Sequence, residues 1–437
     1  MDNGDDNGPD HSNETESKKK NKRNKRDIVK TVLLFLLHQW LMIGIGVACV
    51  LAYFFPDVAK HGGVIRSEYS ILYGAVAVIF LISGLAIPRQ KLFAHVCNWR
   101  LHALVQVTSF LFVPALVVAL VHAILAGDPR GHIDRAVLAG YILTACIPTT
   151  ISSNVVMTRA AGGDDSAALV EVLVANMLGP FVTPGWTVTL LPKSAEFDPW
   201  RNGGGDLNNM YKDVFKQLGL SALLPLVVGQ LIQWTWPDKT ARVLQKFKVN
   251  KIGTACLLLL IWTTFSSCFA TRALEALSTQ SVIFIVFFNP ALYLFLTLVC
   301  FYASRPPKIL ASRPWSQRLF RQISPEVTIA ICFCGPAKTT GLGIPLLYAM
   351  WTSVDLFTKA KTSVPVLLYT TEQICVAHFM VYVFRRWHAR LNKKHDLESI
   401  GDAEGLPEMT ENPNDHSMSE NNNAPGMVGH SNENEKI

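Results

Sequence analysis

Ten apolar stretches of roughly 18 to 25 residues recur between Thr31 and Phe384, each long enough to cross a ~30 Å hydrocarbon core as a helix. A backbone inside a bilayer must satisfy its polar groups within the protein, so runs of this length read as helices. They are Thr31 to Phe54, Tyr69 to Ile87, Leu101 to Ala126, Ala136 to Thr158, Ala167 to Leu191, Leu218 to Trp236, Ile252 to Phe269, Val282 to Tyr302, Val327 to Met350 and Thr362 to Phe384. With half of the residues hydrophobic and only 17% charged, the pattern predicts an all-α, polytopic membrane protein.

The first apolar run follows a polar tail and is too long for a signal-peptide core, so it is expected to be a retained anchor. Lys18, Lys19, Lys20, Lys22, Arg23, Lys25 and Arg26 precede it, which places the N-terminus in the cytoplasm by the positive-inside rule. Basic loops after the second, sixth and eighth spans alternate in agreement, and Arg385, Arg386, Arg390, Lys393 and Lys394 return the C-terminus to the same side. Basic residues in this arrangement orient a membrane protein and attract anionic lipid; they do not indicate nucleic acid.

Three regions follow: a polar tail over residues 1–27, a membrane domain over 28–392 and a second polar tail over 393–437. Both tails are poor in aromatics and are expected to be disordered. The long external loop from Pro192 to Asp213, with Gly203, Gly204 and Gly205, is expected to lack regular structure. The nine cysteines show neither metal-ligand spacing nor a secreted disulfide framework, and read as packing residues.

Two spans carry breaks. Ile147-Pro148-Thr149-Thr150-Ile151-Ser152-Ser153-Asn154 interrupts the fourth and Gly335-Pro336-Ala337-Lys338-Thr339-Thr340-Gly341 the ninth. Proline removes a backbone donor and glycine lowers helix propensity, so both should unwind within the membrane. They hold corresponding places in two groups of five spans. An odd number of spans per half makes a duplicated second half enter the bilayer inverted, which predicts inverted-topology repeats with crossing broken helices 4 and 9, a transporter architecture.

Polar groups at the breaks are candidate ligands for an ion or polar solute: Thr149, Thr150, Ser153, Asn154, Thr339 and Thr340. Lys338, Glu171 and Glu372 are charges inside predicted spans and Asn176 is a neighbouring amide. Such groups either bind what is transported or pair with one another, Lys338 with Glu171 or Glu372. Asp165 is the expected N-cap of the fifth span, and His38, His102, His122 and His378 are read as packed or interfacial.

The string Ser153-Asn154-Val155-Val156-Met157-Thr158, the following Gly162-Gly163 and the later Thr183-Pro184 resemble the bile acid:sodium symporter superfamily. With Lys338-Thr339-Thr340-Gly341-Leu342-Gly343-Ile344-Pro345 the chain resembles the branch of sodium/bile acid cotransporter 7 and its fungal counterparts, over roughly Ile28 to Asn392. The resemblance implies a panel domain (first, second, sixth and seventh spans) and a core domain whose broken helices cross near the substrate. It also implies that Ser153 and Asn154 match a sodium-binding pair. The remaining positions depart from the pattern. Cys334 stands where a glutamate is implied, Lys338 where a glutamine is implied, and Ala168 and Val172 where hydroxyl residues are implied. Exchanging a carboxylate for an ammonium disfavours a bound cation, and makes Lys338 a candidate for supplying that charge itself.

For function, the resemblance implies a transporter-like protein of the plasma membrane that restrains calcium influx, or one of Golgi or endoplasmic reticulum membranes. Its partner would be a small solute or ion. Alternatives are a sodium- or proton-coupled symporter of an organic anion, and a non-transporting regulator that binds a calcium channel. Metalloprotease, nucleophile-elbow and P-loop motifs are absent from the sequence, no cofactor is implied, and an enzyme is not expected.

Overall fold

A computed structural model describes residues 40–404 except 89, 91, 92, 94, 96, 151, 204–206 and 308–321. The N-terminal tail, the start of the first span, the basic loop after the eighth and the tail beyond 404 lie outside the described residues. Residues 1–389 form one unit and 390–437 another, of which 390–404 are helical.

In chain order the helices are α1 Trp40–Phe54, α2 Ser67–Leu85, α3 Trp99–Gly127, α4 Arg135–Cys146, α5 Ser152–Ala160, α6 Asp165–Leu190, α7 Asn208–Thr235, α8 Pro237–Lys246, α9 Val249–Ala270, α10 Thr279–Ser304, α11 Pro325–Cys334, α12 Thr340–Met350 and α13 Leu356–Glu404. Strands are absent among the described residues. Among the described residues, seven helices (α2, α3, α6, α7, α9, α10 and α13) are long and apolar enough to span a membrane. The visible part of α1 and the half-length pairs α4/α5 and α11/α12 account for the other predicted spans. The protein is an all-α polytopic membrane protein.

Side-chain caps set several helix starts. Asp134, Asp164, Ser278 and Ser324 accept from backbone N–H groups at the beginnings of α4, α6, α10 and α11, each cap being worth ~1 kcal/mol. The cap of α6 is Asp164, which accepts from Ser166 and Ala167. The expected cap, Asp165, instead pairs with Arg159.

α1, α2, α7 and α9 pack as one group, and α3, α4, α5, α6, α10 and α11 as a second. In the first group α2 crosses α7 at Gly84 and Gly229, where a Cβ on Gly229 would stand 2.5 Å from the Leu81 carbonyl oxygen. Only a residue without a side chain permits that approach. α11, the ninth-span break and α12 are buried almost throughout, so their polar residues face protein rather than lipid.

The loop after α6, expected to be external, is more ordered than its sequence suggested. Ala195–Phe197 and Asp198–Asn202 are helical turns. Phe197 and Trp200 are buried in them, Trp200 Nε1 donates to Thr362 Oγ1 at 2.9 Å, and Trp351 Nε1 donates to the Trp200 carbonyl at 2.9 Å. Aromatic burial orders the part of the segment up to Gly203, while Gly204 and Gly205 lie outside the described residues. α13 likewise continues to Glu404, beyond the expected start of the polar tail near His395.

Candidate functional site

The first break begins where Pro148 supplies no N–H. α4 ends at Cys146, Ile147 turns extended, and the helix resumes as α5 at Ser152. This leaves the carbonyls of Ala145, Cys146 and Ile147 at an open helix C-terminus, which carries partial negative charge. Thr183 Oγ1 donates to Cys146 O at 2.9 Å. Lys338 Nζ donates to Ala145 O at 2.8 Å and to Ile147 O at 3.0 Å. The two breaks are therefore one site, and the Thr339 N–H adds a bond to Pro148 O at 3.0 Å.

A second supplier of acceptors is α3. Its turn Thr108–Phe112 is widened to π-helical pitch, with the Val113 N–H bonding back to Thr108 O. In that register the next bond would run from residue 114 to Ser109 O, but Pro114 has no N–H. The freed Ser109 carbonyl accepts from Lys338 Nζ at 2.7 Å, and Ser109 Oγ lies 3.0 Å from the same nitrogen. Lys338 is 1% exposed, and its ammonium sits in a cage of four oxygens. The alternative of an ion pair with Glu171 or Glu372 is not met: among the described residues Lys338 makes no carboxylate contact, and a helix C-terminus takes that role.

The second break is held from α13. Gln373 Oε1 accepts from the Lys338 N–H at 2.9 Å while its Nε2 donates to Lys338 O at 2.6 Å. Tyr369 Oη donates to Pro336 O at 2.8 Å. Thr339 caps α12 by accepting from the Gly341 N–H.

Around the first break, Asn154 Nδ2 donates to Thr149 Oγ1 at 2.7 Å, Ser153 Oγ to Thr150 Oγ1 at 3.3 Å, and Asn176 Nδ2 to Thr149 O at 3.0 Å. All five are buried. Asn176 Oδ1 and Thr340 Oγ1 are buried without a hydrogen-bond partner. Thr149, Thr150, Ser153, Asn154, Asn176, Lys338, Thr339 and Thr340 are thus brought to one place.

Glu171 faces elsewhere on α6, toward α3. Its Oε2 accepts from Gln106 Nε2 at 2.8 Å, and Oε1 lies 2.6 Å from His102 Nδ1. His102, read from the sequence as packed or interfacial, thus also faces a buried carboxylate. Cys334, at the end of α11, is near both Glu171 and Asn154, so Glu171 borders the site through α11. Glu372 does not join it. It lies beside Asn289 of α10, whose Oδ1 accepts from Tyr141 at 2.7 Å; on α13 it is the neighbouring Gln373 that reaches the break.

Two cavities flank the crossover between the helix groups. On the side of Arg159, a cavity of about 470 Å³ is lined by Ser83, Val156, Arg159, Asp165, Gln233 and Lys251, among others. On the opposite side a cleft of about 30 Å³ lies among His61, Glu68, Thr263, Ser267 and Tyr348. The first has room for a small molecule and the second does not.

Sequence reading missed Ser109, His102, Gln106, Tyr369 and Gln373. The signal for Ser109 was Pro114 five residues on, and for Gln373 a second polar residue beside Glu372 in an apolar run. The acceptors from Ala145 and Ile147 are backbone atoms and left no mark in residue type.

Residues 39–386 match the SBF-like CPA transporter family. The chain is 40% identical over 389 residues to solute carrier RCH1 of Candida albicans, covering 85% of this chain and 94% of that one. It is 38% identical over 418 residues to solute carrier RCH1 of Saccharomyces cerevisiae, covering 87% and 95%. It is 29% identical over 349 residues to sodium/bile acid cotransporter 7 of mouse, covering 80% and 93%. With two broken helices joined at a buried polar crossover and a family match spanning the membrane domain, the chain belongs to the SBF-like CPA transporter family.

Proposed function

We propose that the protein carries a small solute across the membrane by alternating access, and that its activity restrains calcium influx at the plasma membrane. The observation that carries the transport reading is the crossover at Lys338, with a 470 Å³ cavity on one face and a 30 Å³ cleft on the other. Rocking the α1, α2, α7 and α9 group against the other would exchange which face is open. The basic loops support a cytoplasmic Arg159 face and cytoplasmic tails, and the odd number of predicted spans per half supports inverted repeats.

Lys338 acts in this reading as a tethered cation. Its ammonium supplies a fixed positive charge to the helix C-terminus at the crossover, while Ser153 and Asn154 satisfy neighbouring threonines. Sodium coupling through this crossover is thereby disfavoured. Arg159 and Lys251 outnumber Asp165 on the open cavity, which favours an anionic solute. The calcium role rests on the resemblance to the fungal branch and on the similarity to solute carriers RCH1.

The test pairs calcium uptake in cells lacking the protein with flux of labelled small organic anions in proteoliposomes, for the wild type, Asn154→Ala and Lys338→Ala. Lowered calcium uptake with wild type only, together with flux lost in both variants, is expected. Regulation by the wild type without flux of any tested anion, and unaffected by either substitution, overturns the reading.

A further inference from the structure

The buried carboxylate of Glu171 has no part in the crossover cage, and what faces it is an imidazole. Its side chain is fully buried, while that of His102 is 22% exposed and lies 2.6 Å away. Toward the Arg159 face, His95 Nε2 lies 3.1 Å from Asp164 Oδ2, with side chains 18% and 26% exposed. His95 and His102 are seven residues apart, as are Asp164 and Glu171. Asn98 caps α3 and Asp164 caps α6, so His95 and Asp164 stand just before the two helices and His102 and Glu171 inside them, as an outer and an inner rung. The two pairs form a short ladder where α3 and α6 begin.

We propose that Glu171 and His102 form a proton-binding centre through which transport is coupled to protons from the Arg159 face, with His95 and Asp164 as its entrance. A proton from water adds to His102 Nε2, and the proton on Nδ1 passes to Glu171 Oε1, 2.6 Å away, when the ring turns to align Nδ1–H with that oxygen. The carboxylate becomes a carboxylic acid and the imidazole is neutral again, with its tautomer exchanged. Release reverses both transfers. Gln106 holds the other carboxylate oxygen by donating to Oε2 at 2.8 Å, which aims Oε1 at the imidazole.

Other titratable groups around the ladder are accounted for. Cys334 of α11 borders Glu171, His388 of α13 pairs with Glu326 of α11, and Arg159 of α5 pairs with Asp165. The Glu326 carbonyl accepts from the Asp164 N–H at 3.0 Å, tying the entrance to α11. Glu171 is thus the deepest carboxylate on this route and the one next to the moving crossover.

This inference rests on the carrier reading, and its test requires no identified solute. Purified protein in proteoliposomes on a solid-supported membrane is subjected to pH jumps, and the transient charge displacement is recorded. The wild type is expected to give a displacement that Glu171→Gln abolishes, that His102→Gln slows, and that Glu171→Asp partly restores. Unfolding temperatures of the same variants identify any that fail to fold. A displacement unchanged in folded Glu171→Gln overturns the proposal and leaves the pair a static tie between α3 and α6. So does a displacement that depends on Glu372→Gln instead. Absence of solute flux with the displacement intact would count against the carrier reading alone.

Discussion

The backbone N–H of Thr339 donates to the carbonyl oxygen of Pro148 across 3.0 Å, so the unwound segment of one half of the chain bonds directly to that of the other. Each break exposes what the other lacks. The first presents the carbonyls of a helix C-terminus, and the second presents an N–H and an ammonium.

Replacing Lys338 tests this complementarity. Lys338→Ala leaves the Ser109, Ala145 and Ile147 carbonyls without their donor, at ~1–3 kcal/mol for each buried group that stays unsatisfied. A clearly lower unfolding temperature in detergent is expected, with partial recovery on adding methylammonium, which fits the emptied cage. Lys338→Arg should not substitute, because a planar guanidinium cannot point its donors at a compact set of four oxygens.

Pro114 is predicted to act on Lys338 at a distance along α3. Pro114→Ala restores an N–H that competes for Ser109 O, so the two positions should be coupled. A double-mutant cycle of Pro114→Ala with Lys338→Ala is expected to show non-additivity of ~0.5–3 kcal/mol in unfolding free energy. Simple additivity would show that the proline does not serve the cage.

The Gly84–Gly229 crossing sets how closely α2 and α7 approach. Gly229→Leu places a side chain where a Cβ alone meets backbone at 2.5 Å, and overpacking of this kind costs ~1–3 kcal/mol or more. Size-exclusion profiles of the solubilised variant should show reduced monodisperse protein, whereas Gly46→Leu, where nothing lies within 4 Å, should behave as wild type.

At the loop between α3 and α4, Asp128 carries a carboxyl lowered from 3.8 to about 2, first by the Ile133 N–H and then by bonds involving His132. Oδ2 accepts from Ile133 N at 2.8 Å and Oδ1 lies 2.7 Å from His132 Nδ1. A depressed acid stabilises the fold above its unfolded value and loses that contribution as pH falls through the folded one. The unfolding-temperature gap between wild type and Asp128→Asn should therefore be full at pH 7, narrow below about pH 4 and close near pH 2.

Much of the fold was legible because the bilayer imposes its solution on the sequence. A run such as Val282 to Tyr302 has to be a helix, and the observed α10 spans Thr279–Ser304. The breaks were legible for the same reason: Pro148 and Pro336 remove donors that a membrane helix needs. Glu372 and Gln373 show the limit. Adjacent residues on a helix point about 100° apart, and only packing against α10 and the ninth-span break decides which one enters the site.

The sequence by itself determined the helical class, the positions of the two breaks and the presence of an ammonium at the second, since each follows from local chemistry and the bilayer's demand for internal hydrogen bonding. Tertiary structure alone decided what that ammonium binds. Its acceptors are Ser109, Ala145 and Ile147, brought together from α3 and α4, and mostly through backbone oxygens that every residue carries. A carbonyl becomes a ligand only when its helix ends or its donor is missing and another part of the chain arrives to use it.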